Sequence, residues 1–390
     1  MPKRAQRIAT VPPYLFAEID RKKREVIARG VDVISLGIGD PDLPTPQFVV
    51  DAMHKAIEKP VYHQYPDYDG SLAFRQAACT FYKKRFNQEF NPKTEALALI
   101  GSKEGLAHII WAYIDAGDIA LVPDPAYPVY KTHTNLAGGT PYMMPLKAEN
   151  DFLPDLDAIP EDVARKAKLM FLNYPNNPTG AVATVEFYQK AVAFAKQYDI
   201  LIVSDNAYSE MTYDGYTAPS IFDAEGARDV AVEFWSLSKP FNMTGWRIAF
   251  VVGNADAIGA LGIIKTNTDS GQFTAVQEAA IEALTSPAAD AFIAEMNEVY
   301  RVRRDIAVEG LRAIGLDAKP MKGSFYLWVP VPKGHTSATF ATLLLEEAGV
   351  VVTPGSAYGE YGEGYVRVAL CLKEERLKEA VERIKQHVKV

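Results

Sequence analysis

The sequence has little cysteine, since only Cys79 and Cys371 occur among 390 residues. Neither belongs to a paired motif or stands beside a histidine cluster, which argues against both a disulfide framework and a cysteine–histidine zinc site. Two isolated cysteines in a long chain are typical of a reducing compartment. We therefore expect a cytoplasmic protein that holds no metal.

Long apolar runs and an excess of basic charge are also missing. No stretch of about eighteen apolar residues occurs, so the sequence predicts no membrane-spanning helix. The N-terminal segment MPKRAQRIAT lacks the apolar region of a signal peptide. With 41 basic and 49 acidic residues the net charge is −8, and no predicted helix carries a basic stripe. Binding to nucleic acid is therefore not expected.

Short apolar runs do alternate with longer amphipathic segments through the middle of the chain. The runs are Ala96–Ile100, Ile119–Val122, Leu169–Leu172, Ile200–Val203, Val230–Trp235 and Ile248–Val252. Several are apolar at consecutive positions, as strands covered on both faces are. This rhythm predicts an α/β fold whose large domain holds a mostly parallel, doubly wound sheet.

The pattern changes after about residue 285. A long charged helix, at about Ala288–Ile314, precedes the aromatic strand Ser324–Val329, and further helices and short strands follow. This arrangement predicts a smaller α+β domain, with which the first forty or so residues are expected to pack. We predict a large domain at 45–287 and a small domain made of 1–44 together with 288–390.

Polar residues follow several of the predicted strands, where ligands bind in such sheets. Lys239 ends the segment Ser236-Leu237-Ser238-Lys239, and Arg247 comes eight residues later. A lysine amine condenses with an aldehyde, while the hydroxyls of Ser236 and Ser238 and a guanidinium can hold a phosphate. An exposed lysine in a serine-rich loop would give the same short motif, so other segments must decide.

Two further segments suit a pyridine ring. Asp205 follows the strand predicted before it, and a carboxylate there can keep a ring nitrogen protonated. Tyr208 and Asn177, the latter within N-Y-P-N-N-P-T-G, can each bond to a phenolic oxygen of the ring. The plainer interpretations are a helix N-cap for Asp205 and a tight turn around Asn177.

Three more positions suit the ends of such a ligand. Backbone amides at Ser102 and Lys103, which follow Gly101, can bind a phosphate at a helix start. Tyr127 can stack on a ring, and Arg367, placed between valines, is costly to bury without an anion such as an α-carboxylate. An N-cap, a half-buried core tyrosine and a structural ion pair are the respective alternatives.

Taken in order, Y-P-N-N-P-T-G, D-N-A-Y, S-L-S-K, G-W-R and Y-V-R-V-A resemble the fold-type I aminotransferases of class I and II. The resemblance covers nearly the whole chain and implies an aspartate-aminotransferase-like fold with pyridoxal 5′-phosphate as cofactor. It implies catalytic roles for Lys239, Asp205 and Tyr208. The proposed binding roles carry over to Asn177, Ser236, Ser238, Arg247 and Arg367.

The resemblance also implies a homodimer with active sites at the subunit interface. Tyr65, followed by Asp69-Gly70-Ser71-Leu72, resembles the tyrosine whose hydroxyl reaches the cofactor phosphate of the neighbouring subunit. The loop Y-P-D-Y-D-G is unusual, so Tyr68 stays an alternative. Asn267 would lie near the phosphate or the neighbouring subunit.

Within the family, the N-terminal third is most similar to the LL-diaminopimelate aminotransferases, through P-Y-L-F-A-E-I and G-I-G-D-P-D. That resemblance implies amino transfer from LL-diaminopimelate to 2-oxoglutarate, a step of lysine biosynthesis. The predicted substrate contacts are Tyr14, Gly39, Lys103, Tyr127, Asn177 and Arg367. No arginine near Lys265 matches the second, side-chain-binding arginine of aspartate-specific relatives.

Other functions stay open at this point. The same site would serve an aminotransferase for alanine, aspartate or aromatic amino acids, or a β-eliminating lyase. A non-catalytic regulator would need an appended DNA-binding domain, and no helix-turn-helix motif precedes Tyr14. A nucleotide-binding dehydrogenase needs G-x-G-x-x-G, whereas Gly37–Asp42 lacks the third glycine and has a proline where the helix should begin.

Overall fold

A computed structural model describes residues 1–11 and 16–388, apart from the side chains of residues 10 and 16–20. The helices are α1 (Phe16–Ala28), α2 (Gln47–Ile57), α3 (Leu72–Phe86), α4 (Ser102–Tyr113), α5 (Val129–Ala137), α6 (Glu161–Ala164), α7 (Val185–Tyr198), α8 (Ala227–Val230), α9 (Ala255–Thr266), α10 (Thr274–Thr285), α11 (Ala289–Ala313), α12 (Ser337–Ala348) and α13 (Glu374–His387). The strands are β1 (Ile34–Ser35), β2 (Ala96–Leu99), β3 (Ile119–Asp124), β4 (Thr140–Pro145), β5 (Ala167–Leu172), β6 (Leu201–Asp205), β7 (Ala231–Ser236), β8 (Ala249–Gly253), β9 (Tyr326–Pro330), β10 (Val350–Val351), β11 (Thr353–Pro354) and β12 (Tyr365–Ala369).

The central sheet has seven strands in the order β2-β8-β7-β6-β5-β3-β4. Strand β8 runs antiparallel to both of its neighbours, and the remaining pairs are parallel. The mostly parallel α/β sheet is therefore confirmed, and all six predicted apolar runs correspond to strands. Strand β4 was not predicted, because Pro141 and Pro145 interrupt its apolar character, and proline is tolerated there because β4 is an edge strand.

Each central strand is covered on both faces by helices. In β5, Leu169 and Phe171 belong to the core beneath α4 and α9, whereas Met170 and Leu172 belong to the opposite core beneath α3 and α7. Successive strand residues point to opposite faces, so an unbroken apolar run serves both cores. All parallel strands of one sheet then present their carboxyl ends along one edge.

The C-terminal part forms smaller sheets beside the long helix α11. Strands β11, β12 and β9 make an antiparallel sheet, and β1 pairs in parallel with β10, with Ile34 opposite Val350. Buried side chains of β1 and α11 share one core with β9 and β12. The first residues therefore pack with the C-terminal part, and the limits 45–287 and 1–44 with 288–390 stay a prediction.

Within the described ranges, none of the helices combines the length and the apolar character needed to cross a membrane.

Candidate active site

A cavity of about 980 Å³ lies where the carboxyl ends of the central strands meet the C-terminal sheets. Twelve of the predicted site residues line it. They are Gly39, Ser102, Lys103, Tyr127, Asn177, Asp205, Tyr208, Ser236, Ser238, Lys239, Arg247 and Arg367. Residues that are far apart in sequence therefore share one compartment, because parallel strands end at the same edge of the sheet.

Lys239 lies just beyond the end of β7. Its Nζ donates to the backbone oxygen of Gly39 at 3.2 Å and lies 5.5 Å from the centre of the Phe325 ring. The side chain stays partly accessible from the cavity, yet surrounding protein atoms desolvate the amine and lower the pKa of Lys239. A lowered pKa increases the fraction of neutral amine, which is the nucleophilic and basic form.

Asp205 ends β6 and is buried. Its Oδ2 accepts a hydrogen bond of 2.6 Å from the hydroxyl of Tyr130, and Asn173 donates to its backbone oxygen at 2.7 Å. The Oδ1 atom is buried and has no hydrogen-bond partner among the described residues. Burial raises the pKa of Asp205 to about 6, and the bond from Tyr130 acts in the opposite direction. The unpartnered oxygen calls for a donor, such as a protonated ring nitrogen.

Arg367 is only 2% exposed and lies in β12. It donates to Asn177 Oδ1 at 2.8 Å and to the backbone oxygen of Gly37 at 2.7 Å, and its guanidinium stacks on Tyr326 at 4.1 Å. Nε lacks a partner, and no carboxylate of the described chain forms a salt bridge with Arg367. The alternative of a structural ion pair is therefore wrong, and an uncompensated buried cation here favours an anionic ligand.

The start of α4 approaches Arg247 closely. Gly101 has φ +77°, and a Cβ added there would overlap the Arg247 guanidinium. Ser102, the first residue of α4, has a buried hydroxyl without a partner in the described chain. The N-terminus of a twelve-residue helix, this hydroxyl and a guanidinium form a cradle that suits a phosphate. Ser236 and Ser238 line the same cavity.

Two tyrosines complete the middle of the cavity. Tyr208 is buried, and its hydroxyl lies 3.3 Å from that of Tyr326. Lys103 Nζ lies 5.5 Å from the centre of the Tyr127 ring. These side chains offer a flat apolar face and hydroxyl groups between the phosphate cradle and Arg367.

Three predicted residues lie elsewhere. Tyr65 is 89% exposed and does not line the cavity of its own chain. Asn267 follows α9 and donates to the backbone oxygen of Ile263 at 2.8 Å. Tyr14 lies outside the described residues. Tyr68 is half exposed, so exposure does not decide between Tyr65 and Tyr68.

Two contacts were missed from the sequence. Tyr130 lies three residues after Tyr127, and Tyr326 stands in the aromatic strand Ser324–Val329, so both are indistinguishable from core tyrosines by pattern. Only the fold brings the Tyr130 hydroxyl to Asp205 and the Tyr326 ring to Arg367. An aromatic with a polar tip beside a strand end was the one available signal.

A family model described as aminotransferase class I and II matches residues 31–384. An LL-diaminopimelate aminotransferase of Moorella thermoacetica is 56% identical over 382 residues, which are 98% of this chain and 97% of that protein. One of Aquifex aeolicus is 55% identical over 381 residues, 98% of both chains. Among solved structures, substrate-bound BacF of Bacillus subtilis has a TM-score of 0.94 at 39% identity, covering 99% of this chain and 98% of that chain. A Thermus thermophilus aspartate aminotransferase single mutant has a TM-score of 0.93 at 30% identity, covering 99% and 100%.

Proposed function

The chain belongs to the aminotransferases of class I and II, and from this we propose that it uses pyridoxal 5′-phosphate on Lys239 to move an amino group from LL-diaminopimelate to 2-oxoglutarate. The observation that carries the proposal is the cavity itself. It joins a phosphate cradle, a lysine of lowered pKa, a carboxylate oxygen and a buried arginine, and the described part of the chain supplies neither a hydrogen-bond partner for that oxygen nor a counter-ion for the arginine.

The residues fit each part of the cofactor. The phosphate suits the amides at Ser102 together with Arg247, and a protonated ring nitrogen suits the unpartnered Oδ1 of Asp205. Tyr208 and Asn177 would donate to the phenolic oxygen of the ring. When bound, pyridoxal phosphate supplies an aldehyde that condenses with amines and a ring that withdraws electrons from the substrate's α-carbon.

Arg367 would hold the substrate in the orientation that the reaction needs. Its planar guanidinium can form two parallel hydrogen bonds to the α-carboxylate. Asn177 and the backbone oxygen of Gly37 already accept hydrogen bonds from two of its nitrogens, so the guanidinium has little freedom to rotate. A carboxylate fixed in this way leaves the α-hydrogen within the compartment that contains Lys239.

Lys239 would then act as general base and acid. Because its pKa is lowered, Lys239 can be a neutral amine, and its Nζ atom would take the α-proton of the substrate. The ammonium formed in this way would then donate that proton to the cofactor. Asp205, kept ionised by the positive ring, holds the proton on the ring nitrogen. The hydrogen bond from Tyr130 and the desolvated setting keep that carboxylate in place.

The choice of LL-diaminopimelate rests on two observations. Proteins with that name are 54–56% identical over nearly the whole chain. The cavity is also lined by Lys22, Asp40 and Lys103, which offer both signs of charge. The far end of diaminopimelate is a second ammonium and carboxylate pair, whereas alanine and phenylalanine carry no charge there.

A homodimer is part of the proposal. The segment from Ile57 to Tyr68 exposes apolar side chains, among them Val61 at 61% and Tyr65 at 89%. Helix α9 lies beside it, since a Cβ at Gly262 would be 4.0 Å from Asp69, and Ile263 next to it is 67% exposed. An apolar patch of this kind marks an interface, and a second copy would place Tyr65 or Tyr68 at the neighbouring phosphate.

The test is a single-turnover half-reaction of cofactor-loaded protein with separate amino acids. We expect LL-diaminopimelate and glutamate to convert the absorbance from the pyridoxal to the pyridoxamine form rapidly. Alanine and phenylalanine should act at least about a hundredfold more slowly, because their uncharged side chains leave the charged groups of the cavity without partners. Aspartate should also be slow, because its carboxylate is one methylene closer to the α-carbon than that of glutamate.

Fast conversion by alanine, aspartate or phenylalanine would keep the aminotransferase but discard diaminopimelate as its substrate. Release of pyruvate and ammonia without a 2-oxo acid would instead indicate a β-eliminating lyase. A protein that binds no pyridoxal phosphate would contradict the proposal as a whole.

A further inference from the structure

A buried lysine lies outside the residues assigned so far. Lys265, in the last turn of α9, is only 1% exposed. Its Nζ lies 3.0 and 2.9 Å from the two carboxylate oxygens of Asp269 and 3.6 Å from Glu104 Oε1. His108 Nδ1 lies 2.6 Å from the same Glu104 oxygen. We refer to these four residues as the Lys265 cluster.

The ligand atoms of the Lys265 cluster are spaced as in a metal site, but the cluster already holds the ammonium of Lys265. Ligand atoms of Glu104, His108 and Asp269 lie within 4.8 Å of one another. The ammonium of Lys265 contacts both carboxylates, so it supplies the positive charge that a metal ion would otherwise bring. The two carboxylates compensate the charge of the buried ammonium. Each carboxylate also accepts a hydrogen bond from a backbone N–H group.

Glu104 connects the cluster to the phosphate cradle. Its Oε2 accepts the backbone N–H of Ile100 at 2.9 Å, which fixes the turn that leads into α4. Gly101 follows in that turn with φ +77°, and a Cβ there would overlap the Arg247 guanidinium. Glu104 therefore supports the turn that places the helix start beside Arg247.

Asp269 connects the cluster to the loop that carries Tyr65 and Tyr68. Its Oδ1 accepts the backbone N–H of Gly271 at 2.7 Å. Gly271 has φ +85°, and a Cβ there would lie 2.8 Å from the Asp67 backbone oxygen and 3.1 Å from Pro66. The turn at Gly271 thus lies directly beneath this loop and supports it.

We propose that Lys265 is a positioning residue for both halves of a phosphate site that two subunits share. Through Glu104 it holds the cradle of its own chain, and through Asp269 it holds the loop offered to the second chain. The inference rests on the proposed function, because the phosphate in question belongs to the cofactor. Lys265 itself contacts neither cofactor nor substrate.

Lys265→Met tests the inference. The substitution keeps a similar side-chain volume but leaves the partly buried carboxylates of Glu104 and Asp269 without their shared cation, so both turns should shift. We expect the apoprotein to bind inorganic phosphate and pyridoxal phosphate on the order of tenfold more weakly, the size of coupling seen between residues of one ion network. At saturating cofactor, kcat should change less than the cofactor affinity, because the catalytic groups are intact.

Two further variants separate positioning from a general loss of stability. Lys196→Met removes a partly exposed lysine from its pair with Asp229 on the surface and should leave phosphate affinity unchanged. Adding Asp269→Asn to Lys265→Met removes one of the two unpaired charges and should recover part of the lost affinity. If Lys265→Met does not fold, Asp269→Asn alone is measured and should weaken binding in the same direction.

The measurements are calorimetric titration of apoprotein with inorganic phosphate, the release rate of pyridoxal phosphate and the thermal midpoint of the apoprotein. A wild-type protein that binds neither ligand would contradict the proposed function rather than the role of Lys265. Wild-type affinity and release rate in Lys265→Met, with only a lowered midpoint, would show a purely structural lysine and overturn the inference.

Discussion

At the scale of single residues, the hydrogen bond from Tyr130 to Asp205 decides which carboxylate oxygen is available in the cavity. Oδ2 is occupied at 2.6 Å, and Oδ1 is left without a partner in the described chain. The bond also offsets part of the desolvation that raises the pKa of Asp205 to about 6. Tyr130 thus orients the carboxylate and partly opposes the effect of burial on its pKa.

We predict that Tyr130→Phe moves the acidic limb of the kcat/KM profile to higher pH. Without the phenol, one of the groups that oppose the effect of burial is lost, so the pKa of Asp205 rises and the carboxylate becomes protonated at a higher pH as the solution is acidified. The shift should be about one to two units, since a hydrogen bond to a charged group contributes about 1.5–3 kcal/mol and one pKa unit corresponds to about 1.4 kcal/mol. The profile is measured from pH 5 to pH 9.

Tyr216→Phe provides the matched control, since its hydroxyl donates to the backbone oxygen of Ala183 away from the cavity. Its acidic limb should coincide with that of the wild-type protein. An unchanged limb in Tyr130→Phe would mean that the phenol has no part in the ionisation of Asp205.

Predictability at this scale depends on whether a residue stands in a motif. Lys239, Asp205, Asn177 and Arg367 could be predicted to line one cavity because each follows or interrupts an apolar run with a polar group. Tyr130 could not, since its hydroxyl meets Asp205 only after helix α5 and strand β6 have packed together. A tyrosine on a helix carries no sequence signal that distinguishes such a contact from ordinary core packing.

At the scale of elements, strand β7 contains a charge in the middle of the core. Glu233 is fully buried, although it lies within the apolar run Val230–Trp235. Its carboxylate accepts hydrogen bonds from Tyr82 at 3.0 Å, Ser204 at 2.8 Å and Ser220 at 2.7 Å. Those partners come from helix α3, strand β6 and the loop before α8, so one side chain joins several elements.

We predict that Glu233→Leu lowers the free energy of unfolding by about 3 kcal/mol, because three buried hydroxyls lose their shared acceptor. Glu233→Gln should lose less, since its amide oxygen still accepts. Urea unfolding of the apoprotein at one fixed protein concentration measures both variants. A leucine variant as stable as the wild type would mean that apolar packing replaces the network.

The sequence predicted where most central strands lie along the chain, but it did not predict their order or direction in the sheet. Apolar runs predicted six of them to within a few residues, since helices cover both faces. The edge strand β4 is only partly buried and contains two prolines, so neither the run nor the alternation was visible. The antiparallel direction of β8 depends on its pairing with β2 and β7, which no local pattern encodes.

At the scale of the whole molecule, long-range pairing closes the cavity. Strand β1 pairs with β10, more than three hundred residues later, and this places Gly37 and Gly39 beside Arg367 and Lys239. The N-terminal segment is too short to fold alone and was predicted to pack with the C-terminal part, but the sequence did not indicate which strand it would pair with. The exposed Tyr65 does not line the cavity of its own chain, and its predicted role requires a second copy.

This requirement leads to a prediction about mixed dimers. Lys239→Ala should be inactive because the lysine that carries the cofactor is missing, and Tyr65→Phe should bind the cofactor weakly in both of its sites. When the two variants are unfolded, mixed equally and refolded, about half of the dimers should be hybrids. Each hybrid has one site with Lys239 from one chain and Tyr65 from the other, so about a quarter of the wild-type activity should return.

The same experiment with Tyr68→Phe distinguishes the two tyrosines, because only the variant of the contributing residue loses activity alone and regains it on mixing. Refolding each variant separately gives the background. Activity that fails to rise above this background in either mixture, while wild-type protein refolds normally, would mean that neither tyrosine crosses to the second subunit. Each cavity would then have to bind its phosphate with the cradle at Ser102 and Arg247 alone, and the exposed loop at residues 65–68 would need another explanation.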